Sequence, residues 1–144
     1  EQASGMFQEI NRERREAGLP ELIRDTSLND GILQRALEIS LDGTKYFSHT
    51  RPDGTKWSTV SSHAKGENIA MNMEDYIDTN RGFMNSKTHR ENILNTNFTS
   101  VQIFCVERGD ELYWIQLFGQ ATAEDGNPHR MTGVFSPDNP RPVR

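Results

Sequence analysis

The sequence predicts an α+β domain. Helix-period apolar patterns fill the first two thirds of the compact region, and two runs rich in β-branched and aromatic residues close it. Composition shifts sharply only once, near residue 124: four of the six prolines (Pro128, Pro137, Pro140, Pro142) fall in the last 17 residues. Residues 3–121 are therefore read as one domain, and residues 122–144 as an extended Pro-rich tail or linker.

The first helix is expected over about Ser4 to Ala17. Ser4 serves as its cap, Met6, Phe7, Ile10, Arg14 and Ala17 share a face, and Gly18-Leu19-Pro20 stops it. A second is expected from about Ser27 to Asp42, with Leu28, Ile32, Leu33, Ala36, Leu37 and Ser40 at helical spacing and Gly43 as the stop. A third, about Met73 to Ser86, carries Met73, Tyr76, Ile77, Asn80, Phe83 and Met84, with Gly82 weakening it locally. A short helix from Thr88 to Leu94 follows. Ser100 to Glu107 and Glu111 to Gly119 read as strands joined by a hairpin turn at Arg108-Gly109-Asp110.

Charge and composition exclude several classes. Lys and Arg number 16 against 21 Asp and Glu, a net charge of −5 with no basic block, so the electrostatic footprint of a nucleic-acid binder is missing. No apolar run approaches the ~20 residues of a membrane span. The single cysteine, Cys105, rules out an internal disulfide framework but leaves the compartment open. The start at Glu1, without a basic or apolar leader, is read as a mature form whose signal or anchor, if any, has been removed.

Three polar islands interrupt the periodic segments. They are Phe47-Ser48-His49-Thr50-Arg51-Pro52-Asp53-Gly54, Gly66-Glu67-Asn68-Ile69-Ala70, and Ser86-Lys87-Thr88-His89-Arg90-Glu91-Asn92-Ile93-Leu94. In this order they resemble the CAP superfamily (SCP-like domains), which includes cysteine-rich secretory proteins, venom antigen 5 and pathogenesis-related proteins of class 1. The lone cysteine and the Ser-x-x-His-Arg-x-Asn-Ile-Leu wording resemble its bacterial secreted branch. The resemblance spans roughly residues 5 to 119 and rests on three motifs in register.

That resemblance implies a three-layer α-β-α sandwich with a small antiparallel sheet, and a cleft collecting two His and one or two acidic residues. His49 matches the first cleft His, Glu67 the Glu of the Gly-Glu-Asn motif, and His89 the second His. The second Glu of eukaryotic members has no counterpart in Phe83-Met84-Asn85-Ser86, so the cleft is a triad. Phe83 stands where Trp is usual, Thr88 where bacterial relatives commonly have Gly, and the stretch from Gly54 to Gly66 is short, which predicts a reduced cleft wall.

Two imidazoles and a carboxylate suit Zn²⁺ or another divalent ion, so His49, His89 and Glu67 form a candidate metal site with open positions for water or a partner. The separations, 18 residues from His49 to Glu67 and 22 from Glu67 to His89, are not those of a helical zinc-protease motif. The same His and Glu also read as a hydrogen-bonded pair that ties loops together. Ser86 and His89, three apart, could form a hydrolase dyad with Glu67 as orienter, which makes Glu67, Ser86 and His89 the weak catalytic candidates. No glycine elbow or oxyanion hole accompanies Ser86, and it reads as readily as a helix cap.

Other features carry less. Arg108-Gly109-Asp110 is what a tight turn requires, and Asn97-Phe98-Thr99 is a three-residue sequon that occurs by chance. Cys105 reads as a buried small hydrophobe, His63 as a solvated loop residue at the cleft rim, and His129 as a tail residue without a partner. Trp57 and Trp114 are assigned to the core or a cleft wall, and Asn92 to tying backbone groups of the third motif.

The combined expectation is a monomeric, secreted or cell-surface CAP domain without an organic cofactor, binding without catalysis. A lipid, a sterol or another small hydrophobic ligand, cell-wall material and a host surface protein are the partners that the resemblance makes plausible. A metal-assisted or serine-type hydrolase and a structural or adhesive module are the alternatives.

Overall fold

The computed structural model describes residues 2–123 and 141–142. Helix α1 spans Gln2–Glu16, strand β1 Ile23–Arg24, helix α2 Asn29–Ile39 and strand β2 Gly66–Met71. Helices α3 (Tyr76–Met84) and α4 (Lys87–Ile93) follow, then strands β3 (Ser100–Arg108), β4 (Glu111–Gly119) and the two-residue β5 (Arg141–Pro142). The sheet runs β1-β3-β4-β2, antiparallel except for the parallel β1–β3 pair, and β5 pairs β3.

Strand alternation divides the core in two. On one face Val101, Ile103 and Cys105 of β3 and Trp114 and Phe118 of β4 pack against Met6 and Ile10 of α1, Phe83 of α3 and Ile93 of α4. On the other, Phe104, Val106, Tyr113, Ile115 and Leu117 pack against Ile32, Ala36 and Ile39 of α2. Successive residues of β3 and β4 thus feed opposite helical layers. This is the expected α-β-α sandwich.

Several element boundaries differ from the sequence reading. Ser4 lies inside the first turn of α1 rather than capping it, and Ala17 lies past the helix, exposed. Arg14, on the expected apolar face, is fully buried because its guanidinium donates to the carbonyls of Pro20, Ile93 and Asn95, at 2.8–3.0 Å, and to that of Phe98. The segment expected as one helix from Ser27 opens as a 3-10 turn, Thr26–Leu28, and only then becomes α2, which ends at Ile39. The third helix starts at Tyr76 because the Asp75 carboxylate accepts from the Asp78 amide as an N-cap.

Strands β1 and β2 have no counterpart in the sequence reading. β2 is hidden by its own composition, since Gly66-Glu67-Asn68 breaks the apolar alternation that marks a strand. It pairs in full with β4, from Gly66 opposite Phe118 to Met71 opposite Tyr113. The hairpin is as expected, with Gly109 at φ 62°. The tail reading at 122–144 falls mostly outside the described residues, as does His129.

Candidate functional site

The site is assembled on α2, the loop after it, β2 and α4. Helix α2 turns Arg35 and Glu38 inward, both buried, one helical turn apart and bonded at 2.9 Å. From β2, Glu67 reaches the same place with no side-chain exposure. Arg35 grips it at two points, Nε to Oε2 at 2.7 Å and Nη2 to Oε1 at 2.9 Å, the geometry in which a guanidinium fork matches a carboxylate.

The loop bearing His49 is held by the same helix. Arg35 Nη2 donates to the Ser48 carbonyl at 2.7 Å, and Arg51 donates to both oxygens of Glu38 at 2.8–3.0 Å. Pro52-Asp53-Gly54 reverses the chain so that Arg51 can reach back. Its turn is closed by Gly54 N to Arg51 O at 2.8 Å, with Gly54 at φ 88° where a side chain would be strained. The Asp53 carboxylate accepts from the Thr55 amide and hydroxyl and completes the turn.

Between these anchors His49 meets Glu67, Nδ1 to Oε1 at 2.8 Å, with half of the imidazole still open to solvent. A carboxylate only accepts, so His49 Nδ1 is the donor. The chain Glu67–Arg35–Glu38–Arg51 alternates in sign and is neutral as a whole. Burial works against charge on Arg35, but hydrogen bonds and charge from Glu67 and Glu38 outweigh it and raise its pKa.

His89 projects from α4, its ring 5.0 Å from that of Phe83. Burial, and after it the charge of nearby His49, push its pKa below the ordinary histidine value. Its backbone is fixed by Asn68, whose Nδ2 donates to the His89 carbonyl at 3.1 Å and to Gln116 Oε1 at 2.9 Å. Asn92 was expected to tie the third motif to itself. Instead it ties that motif to the second, donating to Asn68 Oδ1 at 2.9 Å and to the Glu67 carbonyl at 3.2 Å.

The structure therefore brings His49 and Glu67 into contact and places His89 near them, over one stretch of β2. Ser86 precedes α4 as its N-cap residue but makes no side-chain capping bond, and among the described residues its hydroxyl has no hydrogen bond to His89. The donor set does not fit a divalent ion held by all three triad residues. Oε1 of Glu67 has both lone pairs engaged, by Arg35 and His49, and the guanidinium would repel a cation. Among the described residues no group of three His, Cys, Asp or Glu is placed to hold a metal ion.

Of the remaining residues, Trp114 is fully buried and donates from Nε1 to the Met73 carbonyl, while Trp57 packs half-buried against the α2 core. His63 is exposed. Cys105 is buried, and burial with the nearby Glu107 pushes its thiol up to about 12, so it packs as a hydrophobe. Arg35, Glu38 and Arg51 escaped the sequence reading. Arg35 and Glu38 stand among Ile32, Ala36 and Ile39, and charge inside an apolar stripe was the available signal.

Comparison with known proteins decides the family. The profile of the cysteine-rich secretory protein family, CAP, matches residues 7–118, which include all three polar islands. The chain belongs to the CAP family. This CAP domain is 35% identical over 114 residues to the uncharacterized protein YkwD of Bacillus subtilis, covering 75% of the chain and 43% of that protein. It superposes on an extracellular SCP-domain protein of Bacillus anthracis with a TM-score of 0.69 at 27% identity, covering 83% of the chain and 40% of the other. An outer surface protein of Borrelia burgdorferi shares the fold, with a TM-score of 0.71 at 21% identity, and is covered over 92% of its length. The CAP domain thus spans less than half of both Bacillus proteins. Its structural neighbours are extracellular or surface proteins, and no helix among the described residues is long and apolar enough to cross a membrane.

Proposed function

We propose that this CAP domain is a secreted or cell-surface binding module that takes its ligand at the His49–His89 cleft and performs no catalysis there. The observation that carries the reading is the state of Glu67. Its carboxylate is buried and held by Arg35 and His49, which leaves the half-exposed His49 and the neutral-leaning His89 as the groups presented to a ligand. Serine chemistry has no support at Ser86, whose hydroxyl is not engaged by His89. The ligand classes remain a lipid or sterol, cell-wall material and a host surface protein, on the analogy of the family.

Native mass spectrometry and ¹⁵N-resolved NMR titration with sterols, fatty acids and cell-wall fragments test the proposal. Binding by the wild type that is lost in His49→Ala and His89→Ala, with the fold intact, is the expected result. No binding from any of these classes sinks the small-ligand form of the reading. Hydrolysis that disappears in Glu67→Gln and His89→Ala would replace binding with catalysis.

A second reading has its own observation. Arg35 and Arg51 clamp the loop around His49 onto α2, and in this reading the His49–Glu67 bond ties the same loop to β2. If bracing is its whole role, His49→Ala lowers the melting temperature and leaves every ligand interaction unchanged.

A further inference from the structure

We propose that Arg35 is the positioning residue of the cleft: it withholds Glu67 from metal ligation and fixes His49 with Nδ1 protonated and Nε2 as its unprotonated nitrogen. The inference concerns the chemistry of the site and stands whichever ligand the cleft takes.

The geometry of one side chain carries it. Arg35 is fully buried and its fork spends Nε and Nη2 on the two oxygens of Glu67, while the same Nη2 donates to Ser48 O and Nη1 to Glu38. It therefore holds both ends of the His49–Glu67 contact, the carboxylate directly and the histidine through the backbone of the preceding residue. His49 Nδ1 completes the coordination of Oε1, and nothing of the Glu67 side chain is exposed.

Two consequences follow. Oε1 is saturated by Arg35 and His49 and Oε2 accepts from Arg35 Nε, so a metal ion reaching Glu67 would stand beside the guanidinium charge, which in a buried site is a strong repulsion. His49, pinned by an acceptor at Nδ1, cannot offer that nitrogen to a ligand, so the neutral ring meets its ligand through Nε2, a hydrogen-bond acceptor. Lys could supply the charge at position 35 but not the planar fork that spans Glu67 and the Ser48 carbonyl.

The test combines imidazole ¹⁵N NMR with titration by Zn²⁺ alone. In the wild type, at a pH where the ring is neutral, His49 is expected to show a protonated Nδ1 and a bare Nε2, and calorimetry no more than the weak zinc uptake that two imidazoles without a carboxylate support. Arg35→Gln, checked for folding by circular dichroism, is expected to gain zinc affinity at least tenfold and to release His49 into a mixture of tautomers. Arg35→Lys is expected to keep the wild-type zinc affinity while loosening the tautomer preference. Wild-type zinc binding that is lost in Glu67→Gln overturns the proposal, and so does a wild-type His49 protonated at Nε2. The tautomer readout uses the wild type alone, so it decides the question even if neither Arg35→Gln nor Glu67→Gln folds.

Discussion

Arg35 and Glu67 form a two-point ion pair with no solvent-exposed side-chain surface, their contacts being 2.7 and 2.9 Å. Such a pair gains little over well-packed apolar residues, because both ions lose their hydration, but breaking it strands a buried charge. Glu67→Ala is therefore expected to cost about 3–5 kcal/mol in urea denaturation. The double variant Arg35→Met/Glu67→Leu should be more stable than Glu67→Ala, since it leaves neither charge unpaired. A double variant less stable than the single one would show that the pair contributes net stability.

Stability should fall on acidification in two separable stages. Burial and the charge of His49 lower the His89 pKa from 6.5, so below about pH 6.5 the unfolded chain binds a proton that the folded chain refuses. Stability then drops with pH until the folded ring also protonates, and His89→Gln should remove this stage. Burial alone would raise the Glu38 carboxyl, but hydrogen bonds from Arg51, Gln34 and Arg35 outweigh it and hold its pKa below 4.5. Its contribution is present above the unfolded value and is lost as pH falls through the folded one. Urea midpoints across pH should show this second stage in the wild type and a flatter acid limb in Glu38→Gln.

Asn68 is fully buried at the junction of the second and third motifs, where it bonds the His89 carbonyl, Gln116 and Asn92. Replacing it with Leu leaves Gln116 Oε1, the Asn92 amide and the His89 carbonyl short of a partner. Each unmet buried group costs about 1–3 kcal/mol. Asn68→Leu should lower the melting temperature substantially and shift the ¹⁵N resonances of His89. A shift confined to β2 would separate the amide relay from the cleft.

Local periodicity exposed the elements whose faces are apolar. β3 and β4 alternate between two cores and could be read directly, and α1 was displaced only at its ends. β2 could not be read this way. Its Glu67 and Asn68 are buried only because Arg35, 32 residues away in sequence, and Gln116, 48 residues away, complete their bonding. The face of α2 is legible only in part for the same reason: Leu28, Ile32, Ala36 and Ser40 are buried as expected and Leu33 packs against the same core, but Arg35, Glu38 and Ile39 are buried beside them. The three cleft residues were recognisable because short motifs carry them. The residue that sets their chemistry lies outside every motif.

Gly66 has a steric reason to open the second motif. A Cβ at this position would stand 2.9 Å from Cε2 and Cζ of Phe98 and 3.3 Å from Asn92 Oδ1. The Phe98 ring cannot simply swing away, since it is buried and stacked on Phe118 at 5.4 Å between centroids. Phe118 is itself the residue opposite Gly66 in the β2–β4 register, so three groups compete for one volume. Overpacking of this kind costs about 1–3 kcal/mol, and Gly66→Ala should lose stability in that range. Phe98→Leu vacates part of the space, so Gly66→Ala/Phe98→Leu should cost less than the sum of the two single substitutions. Strict additivity in that cycle would mean that the added methyl is accommodated by a backbone shift of β2. Such a shift would also move Glu67 relative to Arg35 and appear in the His49 imidazole resonances.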